Sequence, residues 1–472
     1  MGPLTAISTK DERVELSSEE IDEFKSQLRG DLIDRSSAGY DETRALWNGM
    51  IDRKPALIVH CSGAADIIAA VKFARKHDLK ISVRGGGHHV AGKAVCDAGM
   101  VIDLSGMHAV QVDREKSTAL VQAGARLADI DHETSAFGLA APLGVVSATG
   151  VAGLTLHGGY GWQTRKYGLS LDNLMSVDIV TAEGKLLKAS KNENPDLFWA
   201  IRGGGGNFGI VTSFEFKLNK MAPEVWLLLT IYPIEMAAKG LKLFNEYMTK
   251  APDELGAIAI FWNAPNEDFI PADYRMKPVF IYVGCYTGPL KDGEKALAPL
   301  RQLGKPVADL SAPMPFEKVQ QVLDVDFPNG RRYYWKSSYL DELNDESIAM
   351  LIDMAAKRPS PLSSLDVWAL GGKVNRIDPT ETAFFQRNHR YMIGIESNWD
   401  DANKNDANIE WPRSVFERLT SIFDAGIYMN FPGFGEEGDN LLKKTYGSNY
   451  KRLKQIKKKY DPDNFFNGFM SF

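Results

Sequence analysis

The stretch Lys-Ile-Ser-Val-Arg-Gly-Gly-Gly-His-His, residues 80–89, joins a strand-like apolar run to three consecutive glycines and two histidines. Consecutive glycines let the backbone turn sharply, and their N–H groups can point at an anion. The segment Arg84–His89 would equally suit a tight hairpin with polar ends, so this stretch alone leaves both interpretations open. Upstream, Ala56–His60, Ala64–His77 and Lys80–Val83 have the pattern of a strand, a helix and a strand. They predict a βαβ unit that ends at the glycine loop.

Length and composition indicate an ordinary globular protein of two or three domains, with 472 residues, 44% hydrophobic and 25% charged. The net charge of −6 argues against a nucleic-acid or anionic-membrane partner. The segment Met1–Glu20 lacks the apolar core of a secretory signal, and no run of 18 apolar residues predicts a membrane span. We therefore expect a cytoplasmic protein.

Three widely separated cysteines, Cys61, Cys96 and Cys285, predict neither a disulfide framework nor a zinc site. The chain contains no His-Glu-x-x-His and no Gly-x-Ser-x-Gly sequence, which excludes the common zinc-peptidase and α/β-hydrolase patterns. We expect no metal site.

Two further groups of strands are predicted downstream. Met100–Leu104, Ala109–Val112 and Ala119–Gln122 are expected to form a second, mainly antiparallel group, and Leu174–Thr181 with Lys185–Ala189 a hairpin. From residue 221 onward, alternating and apolar runs predict an antiparallel sheet covered by helices on one face. Its predicted strands are Trp226–Tyr232, Ala257–Trp262, Val279–Tyr286, Tyr333–Ser337, Leu365–Leu370 and Tyr391–Trp399. Its predicted helices are Ala237–Met248, Gly293–Leu303, Glu346–Lys357 and Ile409–Phe423, and a last helix is predicted at Tyr446–Lys459.

Two more glycine-rich segments could hold a ligand. Gly204–Gly209 matches the dinucleotide pattern G-x-G-x-x-G, but a helix-like run precedes it and a strand-like run follows. That context is the reverse of a Rossmann site, so we reject NAD. Residues 149–161 contain five glycines in thirteen positions, which predicts no regular helix there. Together with the first loop, these segments predict a long ligand clasped by backbone amides.

Five segments in this order resemble the FAD-linked oxidases of the vanillyl-alcohol-oxidase type, in the berberine-bridge-enzyme-like branch. They are residues 83–88 (VRGGGH), 101–105 (VIDLS), 150–173, which includes RKYGL and DN, 196–209 (DLFWAIRGGGGNFG), and the ending formed by 428–430 (YMN) with 461–466 (DPDNFF). Each segment alone is weakly specific. Their combined order and spacing are highly specific and cover nearly the whole chain.

The resemblance implies an α+β fold with a two-subdomain FAD-binding domain, residues 1–220, and a substrate domain, residues 221–420. Residues 421–472 return to the FAD-binding domain. His88 matches the histidine joined to the flavin 8α-methyl, with His89 as the alternative. A covalent link would tune the flavin towards hydride acceptance and prevent its loss. The residues implied to contact FAD are Arg84, Gly85, Gly86, Gly87, His88, His89, Gly92, Gly150, Gly153, Leu154, Gly158, Gly161, Gly209, Ile210, Val211, Asn430 and Asn464.

The chain departs from this family pattern at two positions. Many members hold the flavin a second time through a cysteine, which would fall near Val146-Ser147, where this chain has none. We therefore predict a single covalent bond and a more closed site. Plant members also place a polar or acidic catalytic residue at the position of Gly394. Glu396 and Asn398 share that face of the strand, because side chains alternate with period two.

Three residues are candidates for the catalytic base that oxidation of an O–H or N–H substrate requires. Tyr428 comes first, because its Tyr-x-Asn sequence resembles that of related oxidases with an active-site tyrosine. Glu396 comes second and His389 third. Each also has an ordinary structural explanation as a packed tyrosine, a paired carboxylate or a loop histidine. Aromatic residues expected to line the pocket are Tyr333, Tyr334, Trp335 and Trp368.

The resemblance implies oxidation of a small alcohol, sugar or secondary metabolite, antibiotics included, at a C–O or C–N carbon. Hydride would pass to FAD and the electrons to O₂, giving H₂O₂, in a bacterial protein. Two alternatives remain open. One is a dehydrogenase with another electron acceptor, which a bulky side chain near Thr149-Gly150 would favour. The other is a non-catalytic flavin protein that binds a drug or metabolite. The sequence leaves the oligomeric state undetermined.

Overall fold

The computed structural model describes residues 2–423, 425–436 and 438–467. Three sheets of four, five and eight strands carry the fold, and two short two-stranded ribbons accompany them. The ribbons pair Leu4–Ile7 with Arg13–Leu16, and Leu139–Ala140 with Asn219–Lys220. Within the described residues, no helix is both long and apolar enough to cross a membrane.

The four-stranded sheet has the order Asp31–Asp34, Leu57–His60, Met100–Asp103, Ile81–Arg84, and its last three strands run parallel. The helix Ala64–Lys76 connects the second and fourth of these strands, which confirms the predicted βαβ unit. Placing Met100–Leu104 in an antiparallel group was wrong. All four residues of the observed strand are buried, as is typical of an interior strand of a parallel sheet.

The five-stranded sheet is antiparallel throughout and contains the predicted hairpin. The helix Pro195–Gly204 precedes the strand Ile210–Lys217, so the helix-then-strand context of the Gly204 motif is confirmed. The order of strands is Leu186–Ser190, Leu174–Val180, Ile210–Lys217, Thr118–Gln122 and Val110–Asp113.

The glycine-rich segment 149–161 contains a short helix, Val151–Leu156, so the expectation of no regular helix was wrong. Only Gly153 lies inside this helix. Gly150 precedes it as the N-cap, and Gly158 follows its end with a left-handed φ of +132°. One internal glycine costs up to about 1 kcal/mol, which a helix that buries Val151, Thr155 and Leu156 can offset.

The eight-stranded antiparallel sheet lies in the second half of the chain, with helices on one face as predicted. Alternate residues of its strands point to opposite sides. Leu365 and Val367, for example, pack in the same hydrophobic cluster as the helices, whereas Trp368 packs in the cluster of the other face. The strands lie in the order Ala308–Asp309, Glu224–Pro233, Pro278–Tyr286, Leu255–Asn263, Ser364–Ala369, Tyr391–Trp399 and Arg332–Leu340, and Ala312–Pro315 also pairs with the second of them.

The helices of this part are Ala237–Met248, Leu290–Arg301, Asp345–Ala356 and Asn405–Ile422. Shorter helices elsewhere are Ser18–Ser26, Tyr40–Arg44, Leu127–Ser135, Thr164–Tyr167, Phe316–Gln320 and Lys373–Arg376.

The C-terminal segment packs against the N-terminal half. Its helices are Asp439–Tyr446 and Tyr450–Tyr460, so the last helix begins four residues later than predicted. The buried ammonium of Lys457 donates to the carbonyl of Asn207 at 2.8 Å and to the Asp461 carboxylate at 2.6 Å. The division into domains 1–220, 221–420 and 421–472 stays a prediction.

Candidate active site

A cavity lies between the glycine loops and the face of the eight-stranded sheet that carries Trp368. Most of the residues that the sequence assigned to a cofactor line it. Those on its wall are Gly85, Gly86, Gly87, His88, His89, Gly150, Gly153, Leu154, Gly209, Ile210, Val211 and Asn430. Segments separated by up to several hundred residues thus meet around one space.

Two glycine loops touch each other at the cavity wall. A Cβ on Gly86 would lie 2.4 Å from the Cα of Gly150, and a Cβ on Gly150 would lie 2.4 Å from the N of Gly86. Such distances are far below van der Waals contact, so neither position accepts a side chain without moving the other loop. The backbone amides of both loops can therefore approach a ligand together.

The substitution Gly86→Ala is expected to destabilise the fold and reduce the flavin content of the purified protein. The methyl group would meet backbone rather than a movable side chain, and overpacking of this kind costs about 1–3 kcal/mol. Urea unfolding and the ratio of flavin to protein absorbance measure the two effects.

Gly153→Ala is the matched control, because a Cβ on Gly153 meets nothing within 4 Å. It should keep or raise stability, by up to about 1 kcal/mol for a glycine inside a helix, while still lowering flavin content. Equal stability losses in both variants would contradict this account.

Two glycines that face empty space and a histidine nitrogen without a hydrogen-bond partner among the described residues indicate that the cavity suits a large cofactor. Gly153 and Gly206 both line the cavity, and a Cβ at either would meet nothing within 4 Å. The Nε2 atom of His88 is buried and has no hydrogen-bond partner among the described residues. Lys93 adds a positive charge to the same wall. These features fit a bulky anionic group with a reactive position near His88.

Trp47, which no sequence pattern identified, holds the His88 ring. The two rings stack with centroids 3.9 Å apart, and Trp47 stacks on Tyr333 from its other side at 3.6 Å. Asn48 donates to the carbonyls of Val90 and Tyr333, at 2.6 and 2.8 Å. Burial lowers the pKa of His88 to about 3, so its imidazole is neutral and has a free lone pair.

Five predicted cofactor residues lie outside the cavity lining. The Arg84 guanidinium donates to the carbonyl of Thr43 and lies 4.0 Å from Asp103. Asn464 has a left-handed φ of +53° and a buried Oδ1 with no partner among the described residues. The remaining three are glycines with close neighbours: Gly92 against Ile51, Gly158 against Phe384 and Tyr428, and Gly161 against the carbonyl of Leu143.

A buried pair of carboxyl groups occupies the sheet side of the cavity. Asp366 and Glu396 lie on neighbouring strands, where Ser364 pairs with Glu396 and Asp366 with Gly394. Both carboxyls line the cavity and share a hydrogen bond. Burial raises the pKa of each above its usual range, and the neighbouring Asp366 raises that of Glu396 further. The pair is suited to hold one shared proton.

Gly394 leaves room beside this pair at the position where the family resemblance implies a polar or acidic side chain. Its Cβ would lie 3.4 Å from Glu396 Oε1 and 3.5 Å from Trp368 Nε1. Sequence reasoning found Glu396 but missed Asp366. No local motif marks Asp366, because strand register alone brings it to its partner.

Tyr428 is buried at the cavity wall. Its hydroxyl oxygen accepts hydrogen bonds from the Gly159 N–H at 3.1 Å, the Tyr160 N–H at 3.4 Å and Asn430 Nδ2 at 2.8 Å. These donors favour the phenolate, but burial is the larger influence and the pKa of Tyr428 is raised. The phenol is therefore positioned to orient a substrate while keeping its proton.

Other candidates lie away from the cavity. Both ring nitrogens of His389 are engaged, Nδ1 with Asp341 at 2.7 Å and Nε2 with Gln386 at 2.8 Å. The side-chain Oδ1 of Asn398 accepts a hydrogen bond from Trp335 Nε1 at 2.7 Å, which fixes that ring. Of the four predicted aromatic lining residues, Trp335 and Trp368 line the cavity, whereas Tyr333 and Tyr334 lie behind it.

Among the described residues, no cysteine lines the cavity. All three cysteines are free thiols that are buried elsewhere in the protein. Val146 lines the cavity, and Ser147 donates its N–H to the Asp324 carboxylate at 2.8 Å. Val146 and Ser147, where the family resemblance implies the second covalent link of other members, carry no thiol.

Two protein families match this chain. Residues 55–190 match the FAD binding domain, and residues 427–468 match the family described as berberine and berberine like. An FAD-linked oxidoreductase of Dictyostelium discoideum is 31% identical over 449 residues, which cover 94% of this chain and 95% of the relative. The chain belongs to the berberine-bridge-enzyme-like FAD-linked oxidoreductases. It is therefore an enzyme of that class.

Further relatives of this berberine-bridge-enzyme-like protein act on different substrates. (R)-6-hydroxynicotine oxidase of Paenarthrobacter nicotinovorans is 30% identical over 461 residues, covering 93% of this chain and 95% of the relative. The crystal structure of 6-hydroxy-D-nicotine oxidase from Arthrobacter nicotinovorans has a TM-score of 0.82 and 26% identity, over 94% of this chain and 98% of that one. Glucooligosaccharide oxidase from Acremonium strictum, whose FAD carries cysteinyl and histidyl links, has a TM-score of 0.83 at 24% identity, over 94% of this chain and 97% of that one. The last of these likenesses concerns the fold alone.

Proposed function

We propose that this enzyme oxidises a small organic molecule at a carbon bearing oxygen or nitrogen. It holds FAD through one covalent bond from His88 and passes the electrons to O₂. One observation carries the proposal: a single cavity joins the glycine loops and His88 to the Asp366–Glu396 pair and Tyr428. When bound, the flavin supplies hydride acceptance and the later reduction of O₂ to H₂O₂.

His88 is suited to carry the covalent bond. Its ring is neutral and buried, it has an unpartnered nitrogen, and Trp47 fixes its plane by stacking. Glucooligosaccharide oxidase, which shares the fold, carries a histidyl link to its FAD. The second, cysteinyl link of that relative has no counterpart here, since Val146 and Ser147 stand where the cysteine would be.

The base is assigned to the carboxyl pair. Glu396 and Asp366 can take a proton from the substrate O–H or N–H, while the raised pKa keeps Tyr428 protonated for orienting the substrate. The pair thus supplies the proton acceptor that Gly394, which has no side chain, cannot provide. His389 has no part in this assignment, because its ring is bonded outside the cavity.

Oxygen is the proposed electron acceptor, and the rate of reoxidation tests this directly. Thr149 and Gly150 line the cavity at the segment where a bulky side chain would hinder O₂, and Gly150 has no side chain. We expect the chemically reduced holoenzyme to reoxidise within seconds of mixing with air-saturated buffer in a stopped-flow instrument, with formation of H₂O₂. Reoxidation over many minutes would instead identify a dehydrogenase.

The alternative of a ligand-binding flavoprotein rests on the absence of a polar side chain at Gly394. Anaerobic titration of the holoenzyme with compounds that have an oxidisable carbon separates the two functions. Bleaching of the flavin absorbance supports catalysis. A shifted but unbleached spectrum with every compound that binds supports the binding protein.

A further inference from the structure

The carboxyl pair lies in an aromatic enclosure. Trp262, Phe327, Trp335 and Phe431 line the same cavity and contact one another in a chain. Their successive ring centroids are 6.3, 5.5 and 5.0 Å apart. Aromatic faces attract cations through their quadrupoles, most strongly where water is excluded.

Two buried polar atoms within this enclosure lack partners. Asp366 Oδ1 and Trp368 Nε1 each have no hydrogen bond among the described residues, although both residues are more than nine-tenths buried. Leaving such atoms unpaired costs about 1–3 kcal/mol each. Both residues line the cavity next to the space at Gly394, so a ligand there can satisfy them.

The charges around the pair leave it net negative when both carboxyls are ionised. Arg358 is the cation that acts on Asp366, but its guanidinium donates to the backbone carbonyl of Ala355, at 2.7 Å, and to the side-chain Oδ1 of Asn263, at 3.2 Å. One guanidinium offsets one of two carboxylate charges. His88 lines the same cavity but adds no charge, because burial lowers its pKa to about 3.

We infer that the substrate is an amine with an apolar body, whose ammonium group binds between Asp366 and Glu396 against the tryptophan walls. This inference rests on the proposed oxidation and names its substrate class. An ammonium group can stabilise the pair in its ionised form through charge-assisted hydrogen bonds, as a neutral alcohol cannot. A sugar would need many polar partners, whereas Ile258, Ile260 and Met392 line this end of the cavity.

The chemistry of an amine substrate uses the same two carboxyls. The pair accepts one proton from the ammonium nitrogen, which restores its lone pair. The C–H bond on the neighbouring carbon would then break, and bound FAD would supply the acceptor for the hydrogen and both electrons of that bond. The nitrogen lone pair forms the new C=N bond, so the product is an iminium ion, which water hydrolyses to a carbonyl compound and an amine or ammonia.

Binding of a matched pair of probes to the oxidised holoenzyme tests this inference. Cumylamine (2-phenylpropan-2-amine) and 2-phenylpropan-2-ol have the same shape and no hydrogen on the carbon that bears nitrogen or oxygen, so neither can be turned over. We expect cumylamine to bind about tenfold or more tightly than the alcohol. Calorimetry and the shift of the flavin absorbance measure both affinities.

Glu396→Gln and Asp366→Asn should each remove most of this preference for the amine while leaving the affinity for the alcohol nearly unchanged. Asp131→Asn is the matched control, because Asp131 is equally buried but bonds Gln320 at 3.2 Å outside the cavity lining. It should keep the wild-type preference. Equal affinity of wild type for the two probes would overturn the inference, as would a preference retained in both carboxyl variants.

The experiments give different results if the amine inference is wrong and if the proposed oxidase function is wrong. The probe comparison requires only the bound flavin and no turnover. If the reduced flavin is rapidly reoxidised by O₂ but the two probes bind equally well, the oxidase proposal stands and the amine inference is wrong. A clear preference for the amine with no flavin bleaching by any oxidisable amine rejects the oxidase.

Discussion

Replacing His88 with alanine is expected to release the flavin into the supernatant after acid precipitation, whereas wild type should keep its yellow colour in the pellet. Denaturation removes every non-covalent contact, so only a bond can retain the cofactor. His88 presents a neutral imidazole to the cavity beside the glycine loops, because burial lowers its pKa to about 3. Loss of its electronic tuning should also lower kcat roughly tenfold or more in protein that still binds FAD.

His89→Ala serves as the control for this result. His89 lines the same cavity, and burial lowers its pKa to about 3 as it does for His88. Flavin retained in this variant would assign the bond to His88. Release from wild type would reject the covalent link altogether. Release from His89→Ala, with retention in His88→Ala, would move the bond to the neighbouring residue.

The fold was largely predictable because its signals are local. The glycine run Gly85–Gly87, the hairpin around Gly184 and the alternation in Tyr391–Trp399 each reflect chain geometry over a few residues. The order of helix and strand around Gly204–Gly209 excluded a Rossmann site for the same reason. Local periodicity also identified the strands and helices after residue 221, and the general rule that helices cover one face of such a sheet gave their arrangement.

The strand that was wrongly placed and the site residues that were missed depend on contacts between segments distant in the sequence. The apolar run Met100–Asp103 has no local feature that chooses between two sheets, and only tertiary pairing places it between Leu57–His60 and Ile81–Arg84. Trp47 lies in a loop without a motif, yet its ring stacks on the ring of His88, which is 41 residues away in the sequence. Asp366 meets Glu396 through strand register, which sequence pattern alone does not specify.

Glu396→Gln and Asp366→Asn are expected to lower kcat on the order of 10²–10⁴-fold, the range that a positioned general base contributes. Each variant keeps the shape of its side chain but cannot accept the substrate proton. In wild type, kcat/KM should rise with pH as the pair loses its shared proton, since burial raises the pKa of both carboxyls. Steady-state kinetics across pH, with oxygen consumption as readout, measure both effects.

Stability should change in the opposite direction from activity. The folded protein binds protons at the raised pKa values of Glu396 and Asp366 more tightly than the unfolded chain does. The pair therefore stabilises the fold at acidic pH, and that contribution is lost as pH rises through the raised pKa values. A neutral glutamine at position 396 avoids burying a second charge, so Glu396→Gln should match or exceed the wild-type Tm at alkaline pH. A large loss of activity with an undiminished Tm identifies the pair as the base, whereas wild-type kcat in both variants would assign proton removal to another group.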